Sequence, residues 1–221
     1  MIEKINKNMT KLKNQIDLFN LQLQTQLSKD TLEAFGRSIK DLKDKGIEEK
    51  CIAVGEKLPS FKLPNSEGNL VASDDLLSEN NKLIIAFFRG SWCPYCSLEL
   101  KAIQDELSKI ESRKAVIVAI SPQANSFSEK LKTENGLQFD LLHDNNNEYA
   151  RQLGIVFQFQ DFMKPHYKQM NIDLYEYNHM EDDTLPVPAV FVVDKIGLIT
   201  YSFVDSNYMN RVDIEELLKA L

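Results

Sequence analysis

Two cysteines, Cys93 and Cys96, stand two residues apart in the stretch RGSWCPYCSLEL (89–100), next to Trp92, the only tryptophan in the chain. Such a pair can supply half of a metal site. Alternatively, one thiolate attacks an electrophile and the second sulfur closes a disulfide behind it. A structural zinc site takes four ligands, usually as two knuckles, and the sequence has no second Cys-x-x-Cys. The other candidates, Cys51, His143, His166 and His179, show no paired spacing, and the histidines read as surface residues of polar segments. Neither a metal nor a cofactor is therefore expected, and redox chemistry is the reading that remains.

The flanking sequence sharpens it. KLIIAFF (82–88) is an apolar run of buried-strand length, and Leu98, Ala102, Ile103, Leu107 and Ile110 recur at helical spacing just after the cysteines. A strand-to-helix junction at this point places Cys93 at the helix N-cap. Pro94 then takes the first helical position, where a missing N–H costs nothing. A sulfur at that end meets unpaired backbone N–H groups and the positive end of the helix dipole, and both favour thiolate. Cys96 lies one turn on, on the same face. That spacing suits the roughly 4.4–6.8 Å between Cα atoms that a disulfide requires. Arg89 adds positive charge, with Trp92, Pro94 and Tyr95 as the other candidate supports.

The elements that must hold this junction can be read along the chain. PSFKLPNSEGNLVASDDL predicts two short strands about a turn at Asn65–Asn69. KAVIVAIS (114–121) is a second buried strand, followed by a helix near 124–134. LQFDLLHD holds a third short strand, and NNEYARQLG a short helix ending at Gly154. The acidic, proline-punctuated NHMEDDTLPVP (178–188) reads as an exposed loop. PAVFVVDKIGLITYSFV (188–204) reads as a hairpin turning at Lys195–Gly197, and VDIEELLKAL as a closing helix. Strands alternating with helices imply an α/β fold, a mixed sheet with helices on both faces. Pro188 stands directly before a buried strand, where a cis Val187–Pro188 bond would turn the chain sharply. On local sequence, cis and trans stand level.

Residues 1–50 differ from the rest. Ile2, Ile5, Met9, Leu12, Ile16, Phe19 and Leu23 alternate in gaps of three and four, the seam of a helix. A second helix is expected from Asp30, taken as N-cap with Glu33 three residues on, carrying Leu32, Phe35, Ile39 and Leu42. The division expected is a helical extension, 1–50, and one domain, 51–221. The extension would pack on that domain, pair two copies in a homodimer, or serve as a free regulatory arm. Cys51, between the two parts, reads as a half-buried small side chain.

Composition excludes other classes. The 221 residues are 43% hydrophobic and 27% charged, with net charge −7 and pI near 5.1, so nucleic acid and anionic membranes are poor partners. No apolar run approaches the roughly 20 residues of a membrane helix. The N-terminus lacks the pattern of a secretory signal, and three cysteines do not make a disulfide scaffold, so a cytoplasmic setting is expected.

FFRGSWCPYCSLEL, AISPQ and LPVPAVFVVDKIGLITYSFVD together resemble the peroxiredoxin-like proteins of the alkyl hydroperoxide reductase/thiol-specific antioxidant (AhpC/TSA) group, from about Ile52 to Leu221. The resemblance implies a thioredoxin-like fold whose central sheet holds Leu83–Phe88, Ala115–Ile120, Val190–Val193 and Ile199–Phe203. It also implies a cis Val187–Pro188 bond facing the cysteines, and a helical leader in the first 50 residues. The pattern departs from the group's Pro-x-x-x-Thr-x-x-Cys: Arg89 replaces the proline, Cys93 the threonine, and Cys96 takes the peroxide-attacking position. The group's arginine beside the last active-site strand has no counterpart in Val187-Pro188-Ala189. Alignment therefore favours Cys96 as nucleophile. Exposure and the helix dipole favour Cys93, with Cys96 resolving, and this second assignment is the one adopted.

The expected activity is a thiol-dependent peroxidase. A hydroperoxide oxidises one cysteine to sulfenic acid, a Cys93–Cys96 disulfide forms, and a thioredoxin- or glutaredoxin-type dithiol reduces it. The alternatives are a protein thiol–disulfide oxidoreductase, and a non-catalytic redox sensor built on the helical arm.

Overall fold

The structure is a computed structural model that describes residues 11–180 and 182–221. In chain order its elements are helices α1 (Lys11–Gln26), α2 (Lys29–Asp44) and α3 (Ile47–Lys50), then the short strands β1 (Lys62–Pro64) and β2 (Leu70–Ala72) and helix α4 (Ser73–Glu79). Strand β3 (Lys82–Phe87) leads into α5 (Pro94–Asp105) and α6 (Leu107–Ser112). Next come β4 (Ala115–Ser121), α7 (Asn125–Asn135), β5 (Asp140–His143), α8 (Glu148–Gln152) and β6 (Val156–Gln158). Helices α9 (Lys164–Gln169) and α10 (Leu174–Asn178) follow, then β7 (Thr184–Pro186), β8 (Ala189–Asp194), β9 (Ile199–Val204) and α11 (Ile214–Lys219).

The central sheet has the order β5-β4-β3-β8-β9, with β3, β4 and β5 parallel and β8 antiparallel to both of its neighbours. The four stretches singled out by the resemblance are four of its five strands. These strands are almost continuously apolar because both faces are covered. Ile84, Ala86 and Phe88, with Ile117, Ala119, Val190 and Val192, face Leu100 and Ile103 of α5. Leu83, Ile85 and Phe87, with Val118, Ile120, Phe191 and Val193, face Phe61, Tyr149 and Leu153 on the other side. Phe87, the end of β3, pairs with Ile120 on one side and Ala189 on the other. The chain that follows thus leaves the sheet at its centre, at the carboxyl ends of the parallel strands. Open α/β sheets place their ligands at that edge.

The N-terminal helices pack on this domain. Leu12 and Ile16 of α1 are buried in the same cluster as Leu100 and Ile103, and Phe19 and Leu23 lie partly buried against it. Lys11 bonds Asp105 at 2.7 Å, and the Tyr95 hydroxyl donates to Asn20 Oδ1 at 2.5 Å. The seam read from the sequence is thus occupied within the chain; Ile2, Ile5 and Met9 fall outside the described residues. Helix α2 starts earlier than expected. Ser28, extended at φ −64° and ψ 153°, is the N-cap, and its Oγ accepts from Thr31 N at 3.2 Å. Asp30 sits within the first turn, where its charge suits the dipole. The misplacement has a local cause: Ser28 and Asp30 are both good caps, and only the backbone at Lys29 decides between them.

Three further expectations are corrected. Residues 178–188 are not an exposed loop: Thr184–Pro186 pairs antiparallel with β6, and Leu185 and Val187 are fully buried. The acidic run before them hides a short apolar alternation. The Val187–Pro188 bond is trans, since none of the described peptide bonds is cis. Val187 N–H donates to Ile155 O at 2.7 Å, extending the β6–β7 pairing, and the chain then runs on into β8 with no reversal for a cis bond to make. His143 and His166 are half-buried: His143 Nδ1 lies 2.8 Å from Gln123 O, and His166 Nδ1 3.0 Å from Thr31 Oγ1. His179 alone of the three is exposed. Among the described residues, no helix is long and apolar enough to cross a membrane.

Candidate active site

The turn from Arg89 to Cys93 is shaped by two residues. Gly90 has φ +152°, and a Cβ there would stand 2.4 Å from Trp92 Nε1, so glycine lets the indole lie flat on the turn. Gln123, fully buried just after β4, accepts from Ser91 N at 2.7 Å through Oε1 and donates to Ser128 Oγ at 2.9 Å through Nε2. Gln123→Ala leaves the half-buried Ser91 N–H and the buried Ser128 hydroxyl without this partner. Urea denaturation should therefore show a loss of about 1–3 kcal/mol; a midpoint equal to wild type would mean the carboxamide does not hold the turn.

Cys93 is the N-cap of α5, with Pro94 at the first helical position, as the spacing predicts. Cys96 follows one turn later. Both sulfurs are buried, Cys93 at 2% exposure and Cys96 at 0%. Cys93, Arg89, Trp92, Pro94 and Tyr95 line a cavity of 380 Å³, together with Phe19 and Leu23 of α1 and Phe35 of α2; Cys96 and Pro188 do not line it. Pro188 is buried but stands apart from this wall. Cys51 is elsewhere: its thiol donates to Ile52 O at 3.3 Å, and burial, with Glu56 nearby, pushes it up to about 11.

Two arginines surround the pair. Arg89 is 3% exposed, and its own N–H lies 3.5 Å from Cys96 Sγ. Its guanidinium donates to the Tyr167 hydroxyl and lies over the Trp92 and Tyr208 rings, 4.7 and 4.3 Å from their centroids. The second is Arg211, from the segment between β9 and α11. Its Nη2 is 3.3 Å from Cys96 Sγ and 3.8 Å from Cys93 Sγ. Nη1 donates to Tyr208 O at 2.6 Å, and Nε to Tyr95 O at 3.2 Å. Glu99 Oε2 stands 3.2 Å from Nε as a buried ion pair, while Oε1 accepts from Val212 N at 3.2 Å.

The charges decide the protonation. Two cations are buried here against one carboxylate, and an uncompensated interior charge is costly. A thiolate is the missing anion. Burial pushes the Cys93 thiol up, but the hydrogen bond from Cys96 and the charges of Arg89 and Arg211 outweigh it and bring it down to about 5. Burial and its partner push Cys96 well above the ordinary thiol range. Burial raises Glu99 to about 7 against the pull of Arg211. The cluster therefore holds one negative sulfur at neutral pH, and its protons come off as a coupled set.

The site thus gathers the six residues of the 89–96 stretch that were expected, five of them on the cavity wall and Cys96 off it, and leaves Pro188 outside the cavity. It adds Arg211, Glu99 and Gln123, which sequence reasoning missed. Glu99 carried a signal: a carboxylate three residues past Cys96, on the apolar face of α5. Arg211 carried none, lying 115 residues from Cys96 in a polar segment. An arginine beside the sulfurs does exist, but it comes from beyond β9 rather than from the head of β8.

Comparison with known proteins bears on the same stretch. The AhpC/TSA family model matches residues 54–202. Peroxiredoxin bcp of Coxiella burnetii is 30% identical over 149 residues, covering 67% of this chain and 86% of that protein. The bcp protein of Helicobacter pylori strain J99 is 31% identical over 99 residues, 45% of this chain and 64% of its own length. The crystal structure of peroxidoxin BcpB from Mycobacterium tuberculosis superimposes with a TM-score of 0.60 at 17% identity, over 76% of this chain and 96% of that one, a likeness of fold.

Proposed function

Because this chain belongs to the AhpC/TSA family, and is a thiol-dependent oxidoreductase of the peroxiredoxin kind with a thioredoxin-like fold, we propose that Cys93 is the sulfur that attacks hydroperoxides and that Cys96 resolves it. The observation that supports this assignment is that Cys93 lines the cavity while Cys96 does not, with Arg211 3.8 Å from the Cys93 sulfur and the charges of Arg89 and Arg211 bringing its thiol down to about 5.

The Cys93 thiolate attacks the nearer peroxide oxygen. The sulfur–oxygen bond forms as the oxygen–oxygen bond breaks, and the departing alkoxide or hydroxide takes up one proton from water. Arg211 reaches both sulfurs before reaction, the Arg89 charge acts on them from beside Trp92 and Tyr208, and neither need reorganise as charge moves onto oxygen. Cys93 is then a sulfenic acid. The Cys96 sulfur attacks it, its proton leaves with the sulfenic hydroxyl as water, and the Cys93–Cys96 disulfide remains. An external dithiol of the thioredoxin or glutaredoxin type supplies the two electrons that restore the thiols. A reducing compartment such as the cytoplasm suits this cycle. The cavity favours a peroxide over a protein disulfide, because a folded protein reaches sulfurs 2% exposed or less only if the helices above them move. The α1 seam is used within the chain, so the reading needs no dimer.

Trp92, which packs on Arg89, is the probe. Reduced protein mixed with stoichiometric hydrogen peroxide should change Trp92 emission at least about a hundredfold faster than free cysteine reacts. A rate no faster than the free thiol would leave the disulfide exchanger as the working function. The rate should also follow the depressed Cys93 titration. Protonation removes the nucleophile, so the rate holds from alkaline pH down to about 6 and falls as pH drops through about 5. A fall already centred near the ordinary thiol value, 9.0, would mean the arginines do not stabilise the thiolate.

A further inference from the structure

The two buried guanidinium groups beside the sulfurs are anchored differently. Arg211 is fixed by backbone carbonyls and by Glu99. Among the described residues Arg89 has no carboxylate and its Nε has no partner; its Nη2 donates to the Tyr167 hydroxyl. The Trp92 and Tyr208 rings hold it by their faces, which attract the charge but set no direction for the fork. Tyr167 comes from α9 and is 3% exposed. Its ring is locked in place, with the rings of Phe159 at 4.6 Å, Trp92 at 5.5 Å and Phe35 at 6.4 Å between centroids. Helix α9 is held in turn by α2, where Thr31 Oγ1 lies 3.0 Å from Nδ1 of His166.

A carboxylate in place of this phenol would neutralise Arg89 and draw its charge away from the sulfurs. The phenol accepts the guanidinium N–H without adding a negative charge, because burial pushes its own titration far above neutral pH. A guanidinium deprived of that acceptor is buried with too few partners. Arg89 lines the cavity, so its long side chain can then turn out toward water. On the reading that Cys93 is the attacking thiolate, we propose that Tyr167 is a positioning residue of this site: its hydroxyl fixes the Arg89 fork beside the sulfurs and leaves the positive charge free to hold the thiolate. The titratable groups that share this charge balance are Tyr95, Cys96 and Glu99 of α5, Tyr208 and Arg211 from the segment before α11, Arg89, and Tyr167 itself.

Tyr167→Phe keeps the ring contacts and removes only the oxygen. Thiolate ultraviolet absorbance of the reduced protein, followed as pH rises, reads the charge state without any peroxide. The wild type should show a sulfur titrating at about 5 that is absent from Cys93→Ser. Tyr167→Phe should move that midpoint up by about one unit, and Tyr167→Leu, which also lacks the oxygen, should do the same; far-UV circular dichroism checks the fold of each. A role in the fold alone would lower a urea midpoint and leave this titration where it is. In an Arg89→Met background Tyr167→Phe should no longer move the midpoint, because the hydroxyl acts through Arg89. A Tyr167→Phe midpoint equal to wild type would overturn the proposal. An equal upward shift with and without Arg89 would overturn the route through the guanidinium. A low titration that survives Cys93→Ser would instead overturn the reading on which this one rests.

Discussion

Arg211→Met should slow oxidation by hydrogen peroxide by about 10²–10³-fold, the usual effect of removing one preorganised donor from a site of developing charge. Arg211 reaches both sulfurs, at 3.3 and 3.8 Å, from a guanidinium whose other N–H groups are fixed on the Tyr95 and Tyr208 carbonyls. Lysine offers a point charge without the fork and should recover only part of the rate. The substitution also strands Glu99, which burial has already raised to about 7. Breaking one half of a buried ion pair costs about 3–5 kcal/mol, so the single variant will be less stable as well as slower. The double variant Arg211→Met/Glu99→Gln separates these effects. It should regain most of the stability in a urea melt and almost none of the rate. A double variant as fast as wild type would show that Arg211 serves the fold and not the sulfur.

Cys93→Ser and Cys96→Ser should differ in kind. Without Cys93, peroxide consumption should fall to the uncatalysed background and Trp92 emission should stay flat. Without Cys96, the first oxidation should still run, one equivalent of peroxide should disappear, and turnover should stop. Mass spectrometry with dimedone should then find the adduct of a sulfenic acid on Cys93. The reasons are access and charge. Cys93 lines the cavity and is held as thiolate, whereas Cys96 is sealed behind it with its thiol pushed up by burial. The opposite outcome, an adduct on Cys96, would return the attack to the position that alignment favours. It would require the cavity to extend past Cys93 in solution.

The sequence made the strand-to-helix junction at Cys93 legible because a short continuous apolar run gives way there to a 3.6-residue period, with Pro94 marking the first helical turn. The central strands were legible for the same reason: both of their faces are covered, so they read as apolar runs. The small β6–β7 pair was not, because three-residue strands leave no period to count and acidic residues precede β7. Ser28 and Asp30 could not be ranked as caps without the backbone. Arg211 is the sharpest case. Its place depends on how the segment after β9 folds back over the start of α5, and no local pattern encodes a contact made across 115 residues.

The arrangement of charge around the sulfurs also sets an energy balance for the whole cycle. Arg89 has aromatic rings and a tyrosine hydroxyl around it, and no carboxylate pairs with it among the described residues. In the dithiol state the thiolate is its counter-charge. A disulfide carries no charge, so oxidation leaves that cation in the interior without an anion. On the assignment proposed above, the groups that favour the Cys93 thiolate would also make the Cys93–Cys96 disulfide an oxidising couple, because they stabilise its reduced form. Each factor of ten in that preference raises the reduction potential by about 30 mV. On that assignment, a couple poised this way is the more readily reduced by a dithiol donor the more strongly the arginines hold the thiolate.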